Sequence, residues 1–264
     1  MFITSSELLY GQNSFIYHNT GSYVFGVNSS ILRENYQILI IIYIILITLY
    51  FFGIGKHFTA FLVFVLFRTF QELNGMVSNG GDNLLYFILL YMIFIDSYKY
   101  FSVSKIQYTT IRIEKISNLL SNLAAYSICI HLCFVYFFSA IGKINTSEWY
   151  KGVAVYYTLI SERFNGTNYN SLLAKNGYFT TISTYFTLVF ELLFPFFIWN
   201  RYWRFPLIIS GIFLHIGIYI FMMIHDFEIL FISLYGLFFS DDDLRSFKEH
   251  LVNSWKPLLK EQKL

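Results

Sequence analysis

Residues 116–142 contain no Asp, Glu, Lys or Arg. A run this long and apolar constrains the fold more than any other feature of the chain. A helix satisfies all of its own backbone hydrogen bonds, and about 20 mostly apolar residues suffice to cross the hydrocarbon of a bilayer. Residues 35–55 and 205–225 have the same character. Four weaker stretches follow the same pattern: 58–73 contains Arg68, 177–199 contains Glu191, and 83–95 and 229–239 are short. The pattern predicts an all-α protein, a multi-pass transmembrane bundle of about six to seven helices. It divides the chain into an extramembrane segment 1–34, a transmembrane domain 35–240 and a charged cytoplasmic tail 241–264.

Composition supports the bilayer as the main partner. Only 13% of residues are charged, against about 25% in soluble domains. The net charge is +2 and the basic residues form no long run, which excludes nucleic acid as a partner. Tyr98, Tyr100, Trp149, Tyr150, Trp199, Tyr202 and Trp203 fall near predicted helix ends, as interfacial aromatic belts do. Cys129 and Cys133 are four residues apart in one apolar helix. They read as packing residues rather than a disulfide or metal pair.

Lys and Arg sort the loops by side. Lys56, then Lys99, Lys105, Arg112 and Lys115, then Arg201 and Arg204 occupy alternate connections, and the C-terminal tail adds Arg245, Lys248, Lys256, Lys260 and Lys263. The positive-inside rule places this group, and so the C-terminus, in the cytoplasm. The opposite side carries Arg33, Asp82, the long connection 143–176, and a turn with Asp226 and Glu228.

Ionisable residues within apolar stretches are costly, and that makes them functional candidates. They are Lys143, Glu191, His215 and Arg68, with Asp96 and Lys99 closing the 83–95 helix. Lys143 has two readings: a lysine snorkelling from a helix end, or a desolvated amine that serves as base or nucleophile. Glu191 can be structural, paired with Arg68 or a histidine, and His215 can be a satisfied interior histidine. His225 and Asp226 are adjacent and so do not present two ligands on one helix face. The segment 74–83 is glycine-rich but lacks phosphate-loop order. It reads as a tight turn in which Asp82 caps the next helix.

Three segments resemble a known family. The first is Asn79-Gly80-Gly81-Asp82-Asn83 with, further on, Phe94-Ile95-Asp96-Ser97-Tyr98-Lys99-Tyr100-Phe101-Ser102-Val103. The second is Tyr136 to Lys143 in one helix, then Trp149 and Gly152. The third is Glu191-Leu192-Leu193-Phe194-Pro195 with Gly211 and His215. Their order and spacing, over about residues 30–240, resemble the membrane domain of vitamin K-dependent gamma-carboxylase and the related HTTM (horizontally transferred transmembrane) proteins. The resemblance implies that Lys143 is the base and that a quinone-like lipid is the cofactor or substrate. It also implies a bacterial cell membrane as the location. At the position of a functional family histidine this chain has Lys99, and the carboxylase's large lumenal domain and the family's first helix have no counterpart here. These departures count against glutamate carboxylation itself. A branch of similar size contains sporulation-delaying protein B-like proteins. Resemblance to it implies a non-catalytic accessory role, with a secreted peptide precursor and a small soluble protein as partners. A transporter is the third class, but no inverted repeat with broken helices supports it.

The topology is testable by cysteine accessibility. Lys105→Cys and Asp82→Cys should label from opposite sides of the membrane, with position 105 cytoplasmic. Equal labelling of both from outside contradicts the helix count.

Overall fold

In a computed structural model the chain is mostly helical. The structure describes residues 9–11, 23–73, 79–99, 102–103, 108–164 and 166–240, with 242, 243, 245 and 249. It divides into two compact units, Met1–His131 and Leu132–Leu264. One helix, Ile111–Ile144, contributes residues to both.

The first unit opens with a two-residue hairpin, β1 (Tyr23–Val24) and β2 (Val27–Asn28). Phe25 and Gly26 both have positive φ, 49° and 80°, the turn geometry that matches strand twist. The Asn28 side chain then accepts from Ser30 N and starts α1 (Ser29–Glu34). Next come α2 (Tyr36–Phe51), α3 (Lys56–Leu73) and α4 (Gly80–Met92). α2 has no polar face, and Ile38, Ile41, Ile44 and Ile45 are all exposed. A helix that is apolar all round and still exposed suits lipid rather than water.

The glycine-rich segment is described from Asn79 on, where a capping box starts α4; residues 74–78 lie outside the described residues. The Asn79 side chain accepts from Gly81 N at 2.7 Å and Asp82 N at 3.1 Å, and Asp82 Oδ2 accepts from Asn79 N at 2.8 Å. Three amide donors at the helix start are thereby satisfied, those of Asn79 and Asp82 reciprocally.

The long helix is α5 (Ile111–Ile144). In the second unit it is followed by α6 (Ser147–Tyr150), α7 (Ala154–Ile160) and α8 (Asn170–Ala174), then α9 (Gly177–Phe197), α10 (Arg201–Met222) and α11 (His225–Leu234). The connection 145–176, read from sequence as a loop, is thus partly helical. α7 packs on α8 and α9. Val155 N donates to Thr184 Oγ1 on α9, and Asn170 Nδ2 donates to the Phe221 carbonyl at the end of α10. Side-chain caps again mark the starts: Asn176 accepts from Phe179 N, and Asn200 from Tyr202 N.

Among the described residues three helices, α5, α9 and α10, are long and apolar enough to cross a membrane, and α2 is a shorter apolar helix. This marks a membrane protein. All seven stretches singled out from sequence are helical, but only these three meet both the length and the hydropathy needed to span. α4, at 13 residues, and α11, at 10, are too short to do so alone.

Two outcomes follow. Asn79→Ala should lower stability by about 1 kcal/mol in a thermal or denaturant titration. Beyond α11, Asp243 accepts from Ser240 Oγ at 2.6 Å and pairs with Arg204 of α10. The Ser240 hydrogen bonds, with Arg204, hold its carboxyl below the usual carboxylate range. Its contribution is present above the unfolded pKa and is lost as pH falls through the depressed folded pKa. Asp243→Asn should therefore remove part of the acid-side dependence of the unfolding temperature and leave its slope above neutral pH unchanged.

Candidate functional site

The polar residues of the second unit converge. Four helices and a 3-10 turn contribute to the cluster, and helical spacing explains how. On α5, Tyr136, Ala140 and Lys143 recur at four and three residues and share a face; Tyr136 and Ala140 are 2% and 0% exposed. On α9 the buried face is Thr180, Thr184, Thr187, Glu191 and Phe194. The threonines do not need external partners: Thr184 and Thr187 donate to carbonyls one turn back, at 2.7 Å and 2.9 Å. On α10 the buried face is Ile208, Gly211 and His215. α11 presents Glu228, Phe231 and Leu234, and Tyr235 opens the 3-10 turn Tyr235–Phe238.

At one end of the cluster Lys143 Nζ forms an ion pair with Glu191 Oε1. The ammonium also lies 4.9 Å from the centre of the Trp149 ring, within cation–π range. Gly152, at φ 73°, lets the chain turn back after Trp149; a Cβ there would come within 2.8 Å of the Tyr185 ring. The Tyr185 hydroxyl in turn donates to the Tyr150 carbonyl at 2.9 Å. The Trp149 to Gly152 spacing noted in the sequence is therefore a device that holds an aromatic ring over Lys143. Glu148, the other acid near Lys143 in sequence, is exposed and turned elsewhere. Its own backbone amide and the Ser147 hydroxyl hold its carboxyl below the usual range.

At the other end is a hydrogen-bonded chain. His215 Nδ1 bonds the Glu228 carboxylate, His215 Nε2 lies 2.6 Å from the Tyr136 hydroxyl, and that hydroxyl lies 2.5 Å from Tyr235 Oη. His215, Glu228, Tyr136 and Tyr235 are between 0% and 2% exposed. Phe190, Phe194 and Phe231 pack edge-on or tilted against Tyr136. Glu191 and Glu228 both act electrostatically on Tyr136 and Tyr235, and Lys143 acts on Glu228. The ion pair and the hydrogen-bonded chain therefore form one electrostatic centre. Beside it opens a half-open cleft of about 440 Å³, lined by Ile144, Tyr150, Tyr185 and Leu188.

The remaining candidates lie elsewhere or do other work. Arg68 does not face an interior partner. It pairs with Glu72 one turn along α3, its side chain 38% exposed, and lies over the Tyr86 ring. A carboxylate four residues away satisfies the guanidinium locally, so no distant acid is required. Glu191 accordingly pairs with Lys143 and not with Arg68 or a histidine. Asp96 is buried in the first unit and accepts hydrogen bonds from the Tyr108 and Ser117 hydroxyls. The Lys99 side chain lies outside the described residues. Cys129 and Cys133 are buried and form no disulfide with each other. Among the described residues no group of three or more His, Cys, Asp or Glu is placed to hold a metal.

Glu228, Tyr235 and the role of Tyr136 were missed from sequence. Glu228 reads as a turn residue beside Asp226, but α11 begins at His225 and places Glu228 in its first turn. The three- and four-residue spacing of Glu228, Phe231 and Tyr235 was the available signal.

Comparison with protein-family models, with curated proteins and with solved structures gave no match.

Gly211 is the packing test of the centre. A Cβ on it would come within 2.6 Å of Tyr235 Cζ and 2.9 Å of Phe190 Cζ. Gly211→Ala should displace Tyr235 from Tyr136 and destabilise the protein by about 1–3 kcal/mol. Adding Tyr235→Phe should recover part of that loss, measured by unfolding in detergent.

Proposed function

We propose that this chain is a multi-pass membrane protein of the HTTM, vitamin K-dependent carboxylase-like superfamily, and that it acts on a lipid-soluble, quinone-like substrate or matures a secreted peptide. In this reading six to seven helices span or insert deeply, the C-terminus is cytoplasmic and the membrane is a bacterial cell membrane. The observation that carries the reading is the Lys143–Glu191 pair, set beside an apolar, tyrosine-lined cleft that begins at the next residue, Ile144. A lipophilic substrate fits such a cleft, and in this reading its reacting end reaches past the lining residues to the Lys143–Glu191 pair.

The pairing specifies what a base at this position must do. A carboxylate in contact favours the ammonium form. For Lys143 to accept a proton from substrate, its own proton must first pass to Glu191, the acid it touches. A lipophilic occupant that excludes water makes the neutral amine–acid pair less costly relative to the ion pair. Lys143 is then the base and Glu191 its proton acceptor.

The same ion pair favours a second reading. A lysine held permanently as ammonium by Glu191 is a structural and anion-binding group. The chain is then a non-catalytic accessory of the sporulation-delaying protein B-like type, binding a peptide precursor with a small soluble partner.

Purification in detergent with mass spectrometry of bound lipids tests the substrate class, and Lys143→Arg separates the two roles. Arginine keeps the charge but supplies no neutral amine. The catalytic reading expects turnover to fall by roughly 10²–10⁴-fold, with ligand retained. Full activity in Lys143→Arg removes the base role and leaves the accessory reading.

A further inference from the structure

The polar centre of the second unit is unbalanced in charge. Two carboxylates, Glu191 and Glu228, face one ammonium, Lys143. His215 of α10, Lys143 and Tyr136 of α5 and Tyr235 of the turn after α11 interact with Glu228, and Glu191 of α9 interacts with the same two tyrosines; His225 and Asp226 precede Glu228 on α11 itself. With the imidazole neutral and both acids ionised, one negative charge remains uncompensated in a site where Glu228 is 0% and Glu191 6% exposed. Glu191 Oε2 and Glu228 Oε1 are moreover buried without a hydrogen-bond partner among the described residues. An uncompensated buried charge is among the most costly arrangements in a protein, and such groups neutralise where they can.

We propose that this centre is a proton-binding site, holding one exchangeable proton in the His215–Glu228 contact at neutral pH. The loaded state is imidazolium with carboxylate, or imidazole with carboxylic acid, and either restores overall neutrality. The geometry accommodates both loaded and unloaded states without moving a heavy atom. Unloaded, His215 Nδ1–H donates to Glu228, the Tyr136 hydroxyl donates to Nε2 and the Tyr235 hydroxyl donates to Tyr136. Loaded as imidazolium, Nε2–H donates to the Tyr136 oxygen and the Tyr136 hydroxyl donates to Tyr235. The Tyr136–His215 and Tyr136–Tyr235 contacts, at 2.6 Å and 2.5 Å, serve either direction, because a hydroxyl both donates and accepts. The inference takes the polar centre from the proposed function but not its substrate, so either can fail alone.

The test counts protons on the pair in the full-length protein in nanodiscs. Nitrogen-15 NMR of labelled histidine reports an imidazolium, and infrared spectroscopy reports a protonated carboxyl. At neutral pH wild type should show one of the two, sensitive to Glu228→Gln. Glu191→Gln removes one negative charge, balances the centre and should abolish the signal at the same pH. Lys143→Gln adds to the imbalance, so its signal should persist to higher pH than in wild type; this arm stands if Glu191→Gln does not fold. Neutral imidazole with carboxylate in wild type overturns the proposal. So does a signal indifferent to both charge variants, and so does loading that depends on sodium when choline replaces it, which would make a metal cation the neutralising ligand.

Discussion

The cost of placing charge where water is scarce governs the second unit. A bilayer-spanning helix tolerates Glu, His or Lys only when its neighbours supply what water would have supplied. Glu191 and His215 lie within two of the three helices long and apolar enough to span, and Lys143 ends the third. Each is met by a partner from another helix: Lys143 by Glu191, His215 by Glu228 and Tyr136. Around these partners the packing is organised to bring them within reach. Gly211 leaves room for the Tyr235 hydroxyl, and Gly152 returns the chain so that Trp149 covers Lys143. The phenylalanines Phe190, Phe194 and Phe231 close the remaining space. The centre is thus a reason for the helices to adopt one arrangement among the many that apolar faces alone would allow.

The first unit solves the same problem locally. Arg68 takes Glu72 from its own helix, His57 Nδ1 donates to the Ile93 carbonyl at 2.7 Å, and Asp96 is met by hydroxyls. Ionisable groups gather here too, with His57 against the Tyr98 ring and Tyr98 near Tyr50 and Asp96, but Asp96 is met by hydroxyls, whereas the second unit sets a Lys–Glu ion pair beside its cluster. That contrast, and not the mere presence of polar residues in apolar helices, is why the functional reading rests on Lys143 and its neighbours.

Much of the helical content was legible in the sequence, because long uncharged runs have one inexpensive backbone solution. Starts were less so: Asp82 reads as the cap of α4, whereas Asn79 is the N-cap and Asp82 its reciprocal partner, and the caps Asn176 and Asn200 went unread. The number of spans was not legible, since 58–73 and 229–239 combine apolar length with charges whose partners a single sequence does not reveal. Glu72 hid the local solution for Arg68. The short helices between 147 and 174 were hidden by a mixed pattern, because their stability comes from packing on α9 and not from their own periodicity. At the site, Lys143, Glu191 and His215 stood out as charges in apolar surroundings. Tyr136 and Tyr235 did not, because tyrosine is common in this chain, and Glu228 was masked by Asp226 beside it.

The central claim is that Lys143 and Glu191 form a desolvated pair and not two charges reaching separately for water. A double-mutant cycle measures this directly, with Lys143→Met, Glu191→Met and the combined variant unfolded in the same detergent. The account predicts that Lys143→Met, which leaves the 8% exposed Glu191 side chain without its partner, costs about 3–5 kcal/mol, that Glu191→Met, which leaves the 24% exposed lysine, costs less, and that the double variant recovers most of the larger loss. Single changes that each cost less than about 1 kcal/mol and simply add, as exposed pairs do, would contradict it.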